Sequence, residues 1–102
     1  MHNYEIEISQ TASSGAWSFN TGKLVSCLLK QIIIKAATST TTFNLTITDR
    51  NNNIVYFTET PATGTLRVEV EIPLKDVNTI AESNASADEA FTGKLVVIEK
   101  LT

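Results

Sequence analysis

Along most of this chain apolar and polar residues alternate with a period of two, the signature of strands that bury one face and wet the other. Tyr4, Ile6 and Ile8 alternate with Glu5, Glu7 and Ser9. Phe43, Leu45 and Ile47 alternate with Asn44, Thr46 and Thr48, and Leu66, Val68, Val70 and Ile72 with Arg67, Glu69 and Glu71. Weaker alternation marks residues 53–59 and 91–100, and the short run 15–20 puts Trp17 and Phe19 on one face. Residues 76–83 read as a further strand in which Val77 and Ile80 break strict register.

The segment 23–36, KLVSCLLKQIIIKA, differs: it is apolar on both faces and longer than an average strand. Leu24, Cys27, Leu28 and Gln31 fall near helical spacing, but the Ile32–Ile34 run is stiff and β-favouring, and no acidic N-cap precedes it. We read one long strand, bent or bulged near Ser26 or Lys30, that crosses from one sheet toward the other. Turns are expected at DRNNN (49–53), where Asn tolerates left-handed backbone, at TPATG (60–64), and in the polar stretch 83–90. Seven to eight short antiparallel strands in one domain spanning 1–102 predict an all-β fold, a single antiparallel β-sandwich of jelly-roll or immunoglobulin-like type.

The pentapeptide TGKLV occurs at 21–25 and again at 92–96, with TGTL at 63–66 between the copies. The flanks of the two copies differ, which argues against a duplicated unit. The shared grammar is a Thr-Gly that ends a turn through a positive φ, followed by the first core residue of a strand, Leu24, Leu66 or Leu95.

Composition narrows the function classes. The net charge is −3 and the pI about 5.0, and the eight basic residues are scattered, so no nucleic-acid footprint is present. Charged residues make up 19% of the chain, so much of its polar surface must be Thr, Ser and Asn. The single cysteine, Cys27, has no internal partner and suits a reducing compartment. The N-terminal residues lack the pattern of a signal peptide, and no apolar run is long enough to span a membrane.

Chemistry-bearing patterns fail on their spacing. A phosphate-binding loop around Gly22-Lys23 or Gly93-Lys94 needs glycine where Trp17 and Asp88 stand, and a hydroxyl residue where leucine follows each lysine. A calcium loop starting at Asp49, with Asn51 and Asn53, would need glycine at Ile54 and glutamate at Thr60. The one histidine, His2, is near the terminus, and Cys27 sits among apolar neighbours as a small hydrophobe. Glu82, Asp88 and Glu89 fall in one loop region without a base or a glycine-rich elbow. Two sequons, at Asn44 and Asn84, are incidental in a chain so rich in Asn, Ser and Thr. No catalytic set, cofactor site or metal site is expected. The interface candidates are aromatic: Trp17 and Phe19, which also suit the core, and the adjacent Tyr56 and Phe57, which a strand must send to opposite faces.

The runs SGAWSFNTGKL (14–24), TTFNLTITDRNNNIVY (41–56), the TG-led strand after them, and NASADEAFTGKLVV (84–97) resemble small virion proteins of tailed bacteriophages. These are single β-sandwich domains, some of which decorate or cement the outer capsid lattice. The resemblance lies in the order of strands and turns and carries no family site residue to a position of this chain. It implies a non-enzymatic structural protein of the virion surface, folded in the bacterial host cytoplasm, that binds the major capsid protein or another virion protein. It also implies a homo-oligomer, trimer or dimer, with free edges at 3–9 or at the C-terminal strand open to a neighbouring chain. The competing reading is a carbohydrate-binding sandwich on a fibre or secreted protein. That reading calls for a planar row of exposed aromatics, to which only Trp17 and one of Tyr56 and Phe57 are available.

Overall fold

A computed structural model describes residues 2–22, 24–49 and 54–99. Within them the chain forms eight strands: β1 (His2–Ala12), β2 (Trp17–Asn20), β3 (Leu24–Ala36), β4 (Thr42–Asp49), β5 (Val55–Thr63), β6 (Thr65–Asp76), β7 (Asn78–Ser83) and β8 (Glu89–Glu99). They make two four-stranded antiparallel sheets, a first sheet in the order β1-β8-β3-β6 and a second in the order β2-β7-β4-β5. Pairing follows one rule. β1 pairs with β8, β2 with β7, β3 with β6 and β4 with β5, so each strand meets the one equally far from the other end of the chain. The chain is one long hairpin folded between β4 and β5 and rolled so that its paired segments alternate between sheets. Residues 50–53 of the DRNNN turn lie outside the described residues, as does Lys23, but the flanks of the turn are tied. The Asp49 N–H donates to the Ile54 carbonyl, and the Ile54 N–H donates to Asp49 Oδ1, both at 3.1 Å.

The alternation in sequence becomes the inner face of each sheet. Leu29, Ile32, Ile34, Leu95 and Val97 of the first sheet are fully buried, as are Leu45, Ile47 and Ile80 of the second. Each such side chain contributes about 1.5–3 kcal/mol by leaving water. Three rings span the sheets. Phe91 meets Phe43 edge-on at 5.1 Å and Trp17 at 5.8 Å, the tilted arrangements that aromatic quadrupoles prefer. Tyr4 and Ile6 are half-buried and Ile8 is buried along β1, on the face the alternation assigns to the core.

Four expectations are corrected. β3 is irregular at both of the alternative places, with register shifts against β6 between Leu24 and Cys27 and between Leu29 and Gln31, but it stays in the first sheet throughout. Its two apolar faces arise because it is an inner strand, with Ile32 and Ile34 in the core and Leu28 and Ile33 half-buried by β6 and β8 on the outside. The TPATG stretch is strand through Thr63, and the passage from β5 in the second sheet to β6 in the first is made by a bend at Gly64 alone, φ +67°. Gly64 alone among the three Thr-Gly glycines has a positive φ. Gly93 sits inside β8, between Ile8 and Ile34, because a Cβ there would collide with the Ile33 carbonyl of β3. Finally, β1 is a sheet edge as expected, whereas the C-terminal strand β8 lies between β1 and β3 and has no free edge.

Candidate functional site

Two features stand out once the strands are placed. The first is a buried polar pair. β2 is a four-residue edge strand hydrogen-bonded only to β7, with Trp17 opposite Glu82 and Phe19 opposite Ile80. Antiparallel partners project to the same face, and here that face is the core: Trp17 is 6% exposed and Glu82 is 2% exposed. Leu45 of β4 is the partner of Glu82 on its other side. The Trp17 Nε1–H and both Glu82 carboxyl oxygens are buried without a hydrogen-bond partner. The nearby Ala85 N–H is donated to the Gly15 carbonyl at 2.9 Å. Burial therefore pushes the Glu82 carboxyl up to about 7, with the Ala85 backbone acting in the opposite direction.

The two ends of β2 are tied down independently of this pair. Gly15 donates to the Ala12 carbonyl and accepts from Ala85, both at 2.9 Å. At the other end the Thr21 N–H donates to the Asn78 carbonyl at 2.8 Å, and the Asn78 N–H donates to Thr21 Oγ1 at 2.9 Å. Asn78 is buried and its amide also donates to the Lys75 and Asp76 carbonyls.

The second feature is the separation of charge between the two outer faces. From the first sheet project Glu5 and Glu7 of β1, Lys30 and Lys35 of β3, Arg67, Glu69, Glu71 and Lys75 of β6, and Lys94 of β8. Two ion pairs knit this face, Lys30–Glu71 at 2.9 Å and Lys94–Glu5 at 2.8 Å. Its hydrogen bond to Lys30, reinforced by the lysine charge, lowers the Glu71 carboxyl from its ordinary range. An open cleft beside the first pair is lined by Gln31, Glu69, Val70 and Val96. The second sheet is different. Its outer face carries Ser18 and Asn20 of β2, Thr79 and Ala81 of β7, and Asn44, Thr46 and Thr48 of β4. Among the described residues no charged side chain projects from this face of β2, β7 and β4. The Thr79 hydroxyl donates to Asn20 Oδ1 at 2.8 Å across two of its strands.

The aromatic candidates divide between the two edges of the second sheet. Trp17 is in the core and Phe19 is half-buried against it, both on β2; Tyr56 and Phe57 are half-buried on β5, at the opposite edge. The structure does not bring the two pairs together. Cys27 is fully buried, and burial pushes its thiol up, while the Tyr4 hydroxyl beside it acts in the opposite direction. A thiol held protonated in the core is not poised as a nucleophile. Among the described residues no three His, Cys, Asp or Glu side chains gather as a metal site, and no helix is long and apolar enough to cross a membrane.

Glu82 is the residue the sequence reading misplaced. Assigned to the loop with Asp88 and Glu89, it is in fact the fifth residue of β7 and points inward. Its signal was available: Asn78, Ile80 and Glu82 share one parity, and Ile80 marks that parity as the core face.

No family model matches the chain, and no curated protein matches it. Among solved structures it is similar to a chain in the structure of infectious bursal disease virus, Gx strain, at 13% identity and a TM-score of 0.34. The match covers 94% of this chain and 31% of that one, so the chain spans about a third of the other's length. A TM-score that low does not establish a common fold.

Proposed function

We propose that this chain is a non-enzymatic structural module of a virus particle, a single jelly-roll domain that decorates or cements the capsid lattice and contacts it through the outer face of the second sheet. The observation that carries the reading is the separation of charge: the outer face of the first sheet carries charged side chains, and among the described residues that of β2, β7 and β4 offers Thr, Ser, Asn and Ala. A contact made through hydroxyls and amides desolvates no full charge, and each hydroxyl both donates and accepts, so it adapts to its partner. The pairing of each strand with its mirror position in the chain supports the jelly-roll reading, an architecture found in viral capsid domains as well as in lectins and cupins. Many copies on a lattice turn weak single contacts into firm retention. A sugar-binding face would present aromatic planes; here Trp17 is buried and Phe19, Tyr56 and Phe57 are half-buried.

Co-sedimentation tests the proposal. Purified particles of the encoding virus, prepared without this protein, are expected to carry the added protein into the pellet in saturable amounts, while a glycan panel retains none. Protein that stays in the supernatant at every particle concentration would overturn the reading.

A further inference from the structure

The buried Glu82 has no place in a purely packed core. A carboxyl with both oxygens unpartnered, opposite an indole N–H that is also unpartnered, is a rare arrangement. It sits under β2, a four-residue edge strand hydrogen-bonded to one neighbour. We propose that the Glu82 proton is a latch on β2: protonated, it lets Trp17 stay seated in the core; ionised, it loosens β2 from β7 between the two tied ends and draws Trp17 out.

The physical argument is local. A neutral carboxyl beside an indole tolerates a dry site, and a small rotation lets the Trp17 N–H donate to it. A carboxylate there must recover hydration or a countercharge, and one neutral N–H supplies neither. Among the described residues no second titratable group shares the site. Trp17 faces Glu82 from β2 and Leu45 from β4; Ala85 lies beside it, and Phe91 reaches over from the first sheet through its contact with Trp17. The nearest acids by register are Glu59, opposite Leu45 on the far side of β4 and exposed, and Glu89, which accepts from the Thr38 N–H at 2.6 Å. Neither acts on Glu82, so the latch is expected to follow a single proton. The cheapest route to water is the removal of β2. The Gly15–Ala85 and Thr21–Asn78 ties confine that movement to the residues between them. The latch itself stands on the fold alone. Its consequence, that loosening β2 withdraws Ser18 and Asn20 from the uncharged face and weakens lattice contact above neutral pH, rests on the proposed function.

Trp17 is the only tryptophan, so its emission reports the latch directly. The isolated protein is titrated from about pH 5 to about pH 9, with acrylamide quenching and hydrogen exchange at both ends corrected for intrinsic rates. The expected result is blue-shifted, quench-resistant emission in acid. A red shift and a several-fold rise in quenching should follow, with a one-proton midpoint near neutrality. Amide protection in β2 should fall about tenfold or more while β3 and β6 keep theirs. Glu82→Gln is expected to hold the acid signature throughout. Emission that does not change with pH, the same transition in Glu82→Gln, or loss of protection across the whole chain would each overturn the latch. If Glu82→Gln does not fold, the exchange pattern of the wild-type chain decides alone. The readout needs no virus particle, so its failure is separable from failure of lattice binding.

Discussion

Glu82 and Phe91 occupy one core and make opposite demands on it. Phe91 joins Trp17 and Phe43 across the sheets, and Phe91→Ala should cost about 3–5 kcal/mol in urea unfolding. Val55→Ala, at a position 60% exposed, should stay within about 0.5 kcal/mol. Glu82 acts through pH. Its carboxyl is raised from an ordinary value of 4.5 to about 7, so the folded state holds a proton that the unfolded chain has already released across that window. The stability it contributes is fully present below about pH 4.5 and is lost as pH rises through about 7, on the order of 2 kcal/mol. Unfolding free energies measured at the two ends of this window should differ in the wild-type chain. In Glu82→Gln this contribution to the difference should vanish, leaving that variant the more stable of the two above neutrality. Cys27 makes a simpler case: an aromatic disulfide reagent should label it only at the rate of unfolding, because the thiol is fully buried and held protonated.

At the scale of elements the sequence was most legible where alternation was strict. β1, β4 and β6 follow from Tyr4–Ile8, Phe43–Ile47 and Leu66–Ile72, since a one-residue slip would turn every core side chain to water. An irregularity in β3 was readable from Ser26 or Lys30, which interrupt an apolar run, but its sheet was not. Apolar residues on both faces describe an inner strand as well as one that changes sheets. Thr-Gly was ambiguous for a similar reason. Gly64 serves a bend between the sheets through its backbone, and Gly93 serves the close approach of β3 by lacking a side chain. No local pattern separates those roles. Gly93→Ala should therefore destabilise by about 1–3 kcal/mol although it lies in a strand, where alanine is otherwise tolerated. Thermal unfolding of that variant checks the assignment.

Whole-molecule features depend on which strands share a sheet, and that is set by contacts between residues far apart in the chain. Alternation identified Glu5, Glu7, Glu69 and Glu71 as outward-facing, and equally Asn44, Thr46 and Thr48. It did not reveal that the first group belongs to one sheet and the second to the other. Separation of charge became visible only when β1, β3, β6 and β8 were found together, leaving β2, β4 and β7 with an uncharged exterior. On the proposed function this exterior is the contact face. Thr46→Glu places one unpaired carboxylate at its middle, and Glu7→Lys alters the charged face by a larger step. The decisive measurement is the affinity of both variants for purified particles, with thermal stability checked in parallel. Thr46→Glu should weaken binding about tenfold or more without loss of stability, and Glu7→Lys should bind as the wild type does. Unchanged binding by Thr46→Glu, with binding lost in Glu7→Lys, would contradict that reading.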